Sequence, residues 1–493
     1  MAFNLLLIGP TSALSIFGLT VGAVCSSHIK GDQISLTLPQ TIIYILLNAL
    51  YNTFLHPLRR YPGPRLWSTT AIPYTLANIK GELPFRVLAF HRKYGPAWDD
   101  IYGLYSGRRQ NPKDASAYTP PMPGVERGIV LANDAVHGKL RRIYGPAFTP
   151  RAVEEQSGMV MKYANLLIEQ LKRAVEKEAV QDMSAWYNFT TFDLTGEFAF
   201  GEAFHCLGKG GQYHFFLETV FNGVVTGLRM MQFERYGLLT ALKPFIPKSA
   251  MKPKEGMDRY CKELVDRRLE RGYDPSTNDV FNYLLQNKDP EDQLALDDLY
   301  ENAIALVVAG SETTATLLTG TTEVRTAFKS DEEITVKAVN DLPYMIAILC
   351  EALRIFPPSG FGSPRFISAE KGQMVAGHYL PLKTVASISH HAAYRYERNF
   401  ARPDEFIPER WLPEAPAEFA NDKQGLLQPF MVGPRSCLGK NLAYAEMRLL
   451  LAKMLWHFDF ELADPAVEWY EGLKAFMLWG KDLLKVRLTP VER

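Results

Sequence analysis

The stretch Phe430-Met431-Val432-Gly433-Pro434-Arg435-Ser436-Cys437-Leu438-Gly439 constrains this chain more than any other. Its Gly and Pro supply turns, and a helical pattern of apolar residues begins at Asn441, so Cys437 falls just before a helix N-terminus. The free backbone N–H groups and the dipole at such a terminus favour an anion, which primes this sulfur to be a thiolate. Gly439 has no β-carbon and lets a flat cofactor lie close to the backbone. Arg435 is placed to pair with a carboxylate, and Phe430 to pack on an apolar edge. An isolated cysteine is commonly an inert core thiol, but the neighbours of Cys437 argue for a ligand.

The rest of the chain indicates the kind of body that holds this loop. A length of 493 residues allows several ordinary domains or one large catalytic unit. Hydrophobic residues at 47% against charged residues at 22% describe a globular, amply apolar chain and not a disordered one. Basic and acidic residues balance at 54 each, so nothing in the charge points to nucleic acid, and no nucleic-acid partner is expected. The five cysteines (Cys25, Cys206, Cys261, Cys350, Cys437) are odd in number and scattered, which is no disulfide framework and fits a reducing compartment. Apolar residues recur at helical spacing over 153–179, 257–271, 296–318, 341–355 and 441–458, while short β-like pieces come late, at 373–379 and 484–488. With no second linker and no repeat, the expected fold is one mainly α domain with small β-sheets, over 70–493.

Ahead of it, 5–25 and 36–55 are apolar runs, each of roughly the 20 residues that cross a bilayer. No Lys or Arg precedes the first, which disfavours a cleaved signal, and Arg59-Arg60 after the second prefer the cytoplasmic side. Residues 1–56 therefore read as an N-terminal transmembrane anchor of one or two helices. Pro57, Pro62 and Pro64 make 57–69 a stiff, extended linker, and the body is expected on the cytoplasmic side.

Phe-x-x-Gly-x-Arg-x-Cys-x-Gly resembles the heme-binding signature of the cytochrome P-450 family, and all its fixed positions are met between Phe430 and Gly439. The resemblance implies heme b, with Cys437 as the axial ligand of the iron and Arg435 as a propionate partner; thiolate ligation favours O–O cleavage. Ala309-Gly310-Ser311-Glu312-Thr313-Thr314 resembles the family's oxygen-activating helix, which assigns Thr313 to hold activated oxygen and Glu312 to relay protons. Glu351-Ala352-Leu353-Arg354, followed by Pro357-Pro358, resembles the Glu-x-x-Arg helix, and Phe406 to Trp411 the segment whose arginine completes the network. By that resemblance Glu351, Arg354 and Arg410 form a structural ion network behind the heme. His137-Gly138-Lys139-Leu140-Arg141 is similar to the heme-contacting helix, making His137 and Arg141 propionate contacts, and Pro364-Arg365 supplies another propionate arginine. Asn188-Phe189-Thr190 is a glycosylation sequon in form only, since it lies in an apolar helix.

The family implies a monooxygenase that takes dioxygen, a small lipophilic substrate and electrons from a separate NADPH–cytochrome reductase, on the endoplasmic reticulum membrane. Segments around 311–318 and 428–433 look closest to fungal secondary-metabolism members, including trichothecene and polyketide hydroxylases, which implies a terpenoid or polyketide substrate. Substrate choice is expected in 107–130 and 215–247, where Phe215, Phe216, Phe221, Met230, Met231, Phe233 and Tyr236 would line an access channel. Two pieces are missing against the pattern: a pair of β-strands between Pro96 and Ala97, and about a dozen or more residues, a helix among them, between Gly320 and Thr321. Those gaps mean either that coding segments have been lost from the gene sequence or that this is a shortened, catalytically impaired heme-binding paralogue; an oxygen-independent heme-thiolate isomerase or dehydratase is a separate alternative, against which the intact Glu312-Thr313 pair argues.

Overall fold

Polar caps cut the apolar periodicity into helices. The computed structural model describes residues 43, 46–60, 63–94, 111–114, 128–211, 215–234, 252–287, 289–311, 321–360, 362–375, 377–464, 473–476, 479–480 and 483–492. In chain order its helices are α1 (Arg65–Thr69), α2 (Ile72–Lys80), α3 (Leu83–Tyr94), α4 (Asp134–Tyr144), α5 (Pro150–Glu155), α6 (Ser157–Val175), α7 (Met183–Phe200), α8 (Phe215–Glu234), α9 (Lys252–Arg271) and α10 (Val280–Gln286). Then come α11 (Leu296–Ser311), α12 (Thr321–Ala327), α13 (Pro343–Ile355), α14 (His390–Tyr394) and α15 (Lys440–His457). Side chains of Asn133, Thr149, Asp182, Asp279 and Ser389 accept the orphan N–H groups at the starts of α4, α5, α7, α10 and α14. Gly81 and Gly201, both left-handed, end α2 and α7.

The expectation of a mainly α body with small sheets holds. Helix α7 is buried on nearly all sides and packs on α6 and α11, which makes it the axis of the main core. The strands are short: β1 (Val180–Asp182), β2 (Arg365–Phe366), β3 (Gln373–Val375), β4 (His378–Leu380), β5 (Val385–Ala386), β6 (Phe458–Leu462), β7 (Lys474–Ala475), β8 (Trp479–Gly480) and β9 (Lys485–Pro490). All pairs are antiparallel, in a β1-β9-β6 sheet and three ribbons, β2-β5, β3-β4 and β7-β8. A single bridge, Lys113 to Arg365, lies on the free side of β2, and among the described residues no further strand pairs there.

Two expectations need correction. The helix expected over 153–179 is two, α5 and α6, because buried Gln156 turns its amide Nε2 to Ala147 O and Asn278 O at 3.1 Å each and takes the backbone out of register; past Val175 the chain joins a sheet as β1. Most of the described residues of 57–69 are not extended. Pro57–Arg60 is a 3-10 turn and α1 is helical, since proline is also at home in a first helical turn. Helix α1 docks onto the helical stretch 46–54, where Asn52 Nδ2 donates to Thr69 O at 3.0 Å, and Leu58 of the first turn is buried in the cluster of Ile367, Val375 and Leu380. Finally, no described helix is long and apolar enough to cross a membrane. Most of 1–45 lies outside the described residues; Leu46, Leu47, Leu50, Phe54 and Leu55 present their side chains outward.

Candidate functional site

The loop ahead of α15 closes on itself through backbone bonds: Cys437 N donates to Phe430 O at 2.7 Å and Ser436 N to Gly433 O at 3.0 Å. Two residues take positive φ to make the turn, Met431 at 63° and Gly433 at 80°; at Met431 this costs energy, because its β-carbon crowds the backbone. The loop forms one wall of a cavity of about 520 Å³. Cys437 is exposed into that cavity. The other walls come from α4 (His137, Arg141), from Thr195 and Phe198 of α7, from Ala305, Leu306, Ala309 and Gly310 of α11, and from the 358–364 loop. Phe430, which lines the cavity, packs its ring on Tyr444 at 5.0 Å.

Cations gather at one end. Arg141 Nη1 donates to Ser436 O at 2.6 Å and Nη2 to Ser436 Oγ at 3.2 Å, bracing the cysteine loop from α4. Arg435 donates to Ala132 O and to Asp134 Oδ1, the first residue of α4. His137 is buried beside both. Burial, then the positive charges of Arg435, Arg141 and Lys113, hold its pKa down to about 4, so it is a neutral donor at pH 7. Arg365 is buried with its guanidinium on Ser363 Oγ at 2.5 Å and stands behind the wall instead of lining it. Its bridge partner Lys113 does line the cavity and was missed in the sequence reading. Burial, then Arg365 and Arg435, push the Lys113 ammonium down to about 7. Nothing in Asn111-Pro112-Lys113-Asp114 signals this locally; the role comes from pairing with Arg365.

The sulfur departs from expectation. Burial pushes the Cys437 thiol above its ordinary range, and the Gly439 N–H, Arg141 and Lys440 only partly oppose it. A metal cation bound to the sulfur would favour its thiolate form. The residues present fit heme. A side chain at Gly439 would project beside Phe148 at 3.9 Å, and no protein atom lies closer. The Arg141, Arg435, His137 and Lys113 group is a donor set suited to two carboxylates beside a soft sulfur ligand.

Behind this wall the expected ion network is complete. Arg354 pairs with Glu351 through two bonds of 2.8 Å, Arg410 Nε reaches Glu351 Oε1 at 3.1 Å, and Ile407 N and Trp411 Nε1 donate to the same carboxylate. Arg354 also binds three backbone carbonyls, and Arg410 pairs with Asp422. Both arginines and Glu351 are fully buried. Burial works hardest against the Glu351 carboxylate, yet Arg354, Ile407 N–H and Arg410 together hold it below its usual range.

Some assignments lie elsewhere. Glu312 and Thr313 are outside the described residues, as are 97–110 and 235–250. No described residue of α8 lines the cavity: Met231 is buried and Phe233 faces outward. The cavity is lined instead, beyond the cysteine loop and its cations, by Tyr74, Asn78, Leu83, Val87, Val130 and Phe476 among others. Helix α8 touches it indirectly, with Arg229 over the Phe476 ring at 5.2 Å. In the sequon Asn188 is half-buried and Phe189 and Thr190 are buried, with Thr190 Oγ1 donating to Trp186 O.

A helical body around a thiol-tipped, cation-ringed slot defines a protein built to hold heme through cysteine. The family described as cytochrome P-450 matches residues 105–321 and 321–469. Cytochrome P-450 monooxygenase astA of Talaromyces wortmannii is 36% identical over 480 residues, covering 91% of this chain and 95% of that protein. The averantin hydroxylase of Dothistroma septosporum is 34% identical, covering 97% and 94%, and the trichothecene C-4 hydroxylase of Trichoderma arundinaceum 34%, covering 93% and 97%. A crystal structure of a cytochrome P-450, CYP102L1, shares the fold, with a TM-score of 0.60 at 20% identity over 76% of this chain and 85% of that one. The chain belongs to the cytochrome P-450 family, whose cofactor is heme. It is an oxygen-incorporating oxidoreductase similar to fungal secondary-metabolism monooxygenases, and these relatives do not favour the silent or oxygen-independent alternatives. The family match breaks at residue 321, beside the Gly320–Thr321 junction. The alignments also run longer than the chain's own share of them, leaving roughly thirty family positions without a counterpart here.

Proposed function

We propose that this enzyme inserts one oxygen atom into a small lipophilic terpenoid or polyketide, with electrons from a separate NADPH–cytochrome reductase. Its body would lie on the cytoplasmic face of the endoplasmic reticulum membrane, held by residues 1–56. The observation that carries the substrate class is the lining of the cavity, in which apolar Leu83, Val87, Val130 and Phe476 are joined by only a few polar side chains such as Tyr74 and Asn78. The names of the relatives, an averantin and a trichothecene hydroxylase, point to the same chemical range.

Heme bound to Cys437 supplies electron transfer to dioxygen and cleavage of its O–O bond. The protein's own groups do the rest. Arg141, Arg435, His137 and Lys113 would hold the propionates, and Arg141 at the same time keeps Ser436, and so the cysteine loop, in place. Phe148 and Phe198, edge to face at 5.3 Å, close the apolar side and exclude water. The small Ala309 and Gly310 leave room for substrate and oxygen against α11. Glu312 and Thr313 would deliver protons from just beyond α11.

Reduced protein exposed to carbon monoxide should show the red-shifted thiolate–heme band, and Cys437→Ala should abolish it with the helical circular dichroism retained. Deleting the gene should remove an oxidised lipophilic metabolite and accumulate a precursor lighter by one oxygen atom. A well-folded holoprotein without the band, or an unchanged metabolite profile, counts against this reading.

A further inference from the structure

Helix α7 carries Thr190, Thr191 and Thr195, all buried. A threonine inside a helix ordinarily satisfies its hydroxyl on a carbonyl one turn back. Thr190 and Thr191 do so, donating to Trp186 O at 2.8 Å and to Tyr187 O at 3.0 Å. The Thr195 hydroxyl, on a residue 5% exposed, has no hydrogen-bond partner among the described residues. It lines the cavity, as do Ala309 and Gly310 of the facing helix. A β-carbon added to Gly310 would fall 2.4 Å from Thr195 Oγ1 and 2.9 Å from its Cγ2. The hydroxyl therefore occupies the space that a side chain at position 310 would take, directly against the backbone of α11. Leaving such a group unsatisfied costs about 1–3 kcal/mol. A partner that can both donate and accept, and that fits where no side chain does, is water.

We propose that Thr195 is a positioning residue whose hydroxyl holds an ordered water against α11 at Gly310, at the cavity end of the path that brings protons to dioxygen. This rests on the monooxygenase reading. In the sequence Gly310 stands three positions before Thr313, the spacing that shares one helix face, and Thr313 is one of the groups to which proton delivery is assigned. Hydroxyl and water pass a proton along without net change: each accepts one on one side and releases one on the other. Without substrate, dioxygen leaves as hydrogen peroxide, with two electrons and two protons, or as water, with four of each. Timely protonation favours the second.

Crystals of the ferric holoenzyme should show water within hydrogen-bond distance of Thr195 Oγ1 in the native chain and in Thr195→Ser, and none in the isosteric Thr195→Val. With NADPH–cytochrome reductase, NADPH and no substrate, Thr195→Val should raise the ratio of peroxide to water by roughly three- to tenfold, the loss of one hydrogen bond. It should also change the solvent deuterium isotope effect on NADPH oxidation, while Thr195→Ser keeps both values and all variants keep the carbon monoxide band. If Thr195→Val does not take up heme, Thr195→Ala reads the same loss. No water at Thr195 in the native crystal, or a native ratio and isotope effect in Thr195→Val, overturns the proposal. Native holoenzyme that does not oxidise NADPH with the reductase defeats the monooxygenase reading, and with it the assigned proton path; an ordered water at Thr195 would then show that the site exists without that role.

Discussion

Single residues at this site are held by opposing electrostatics. Lys113 illustrates it: an ammonium buried among Arg365, Arg435 and His137 is costly to keep charged, and an arriving dianion removes that cost. Lys113→Met should speed heme transfer to apomyoglobin by about tenfold, as expected for the loss of one charge-assisted hydrogen bond. With heme dimethyl ester, whose propionates carry no charge, the variant and the native chain should release heme at the same rate; a persisting difference would mean that Lys113 acts through packing. Residues with fixed neighbours in sequence, such as Cys437 and Arg435, were readable from the chain. Lys113 and Thr195 were not, because each owes its role to a residue far away, Arg365 and Gly310.

At the scale of elements, close backbone approach sets the site's dimensions. The 358–364 loop passes so near the chain after β5 that a β-carbon at Gly362 would fall 1.8 Å from Ile388 O. Backbone cannot move aside as a flexible side chain can, so Gly362→Ala should lower stability by about 2–4 kcal/mol and loosen the wall that carries Ser363 and Pro364. Chemical unfolding of the holoprotein measures the first effect, and heme retention the second. The long helices were legible, since period and caps are local, whereas short ones such as α1 were not. The break between α5 and α6 was not: nothing in the pattern near Gln156 reveals that its side chain is claimed by Ala147 and Asn278.

At the scale of the molecule, the Glu351 network ties α13 to the segment from Ala401 to Asp422 behind the heme. Its carboxylate is held below the ordinary 4.5 in the folded chain. The stabilisation is therefore whole above that value and is lost as pH falls through the lower folded value. Glu351→Gln should flatten this acid limb of the stability profile, and at neutral pH it should cost about 3–5 kcal/mol, because Arg354 and Arg410 stay buried without their anion. Unfolding midpoints between pH 3 and 7 for both proteins decide it; parallel curves would place the acid sensitivity elsewhere.

The order of chemical groups along the chain was enough to determine the family, the ion network and the helical class, and to point to Cys437 as the sulfur ligand, because those depend on spacings of a few residues and on periodicity. Tertiary structure alone decided which cations meet at the slot and which side chains line the rest of the cavity. Those outcomes are sums of desolvation and Coulomb energy over groups hundreds of positions apart, and no local pattern encodes them.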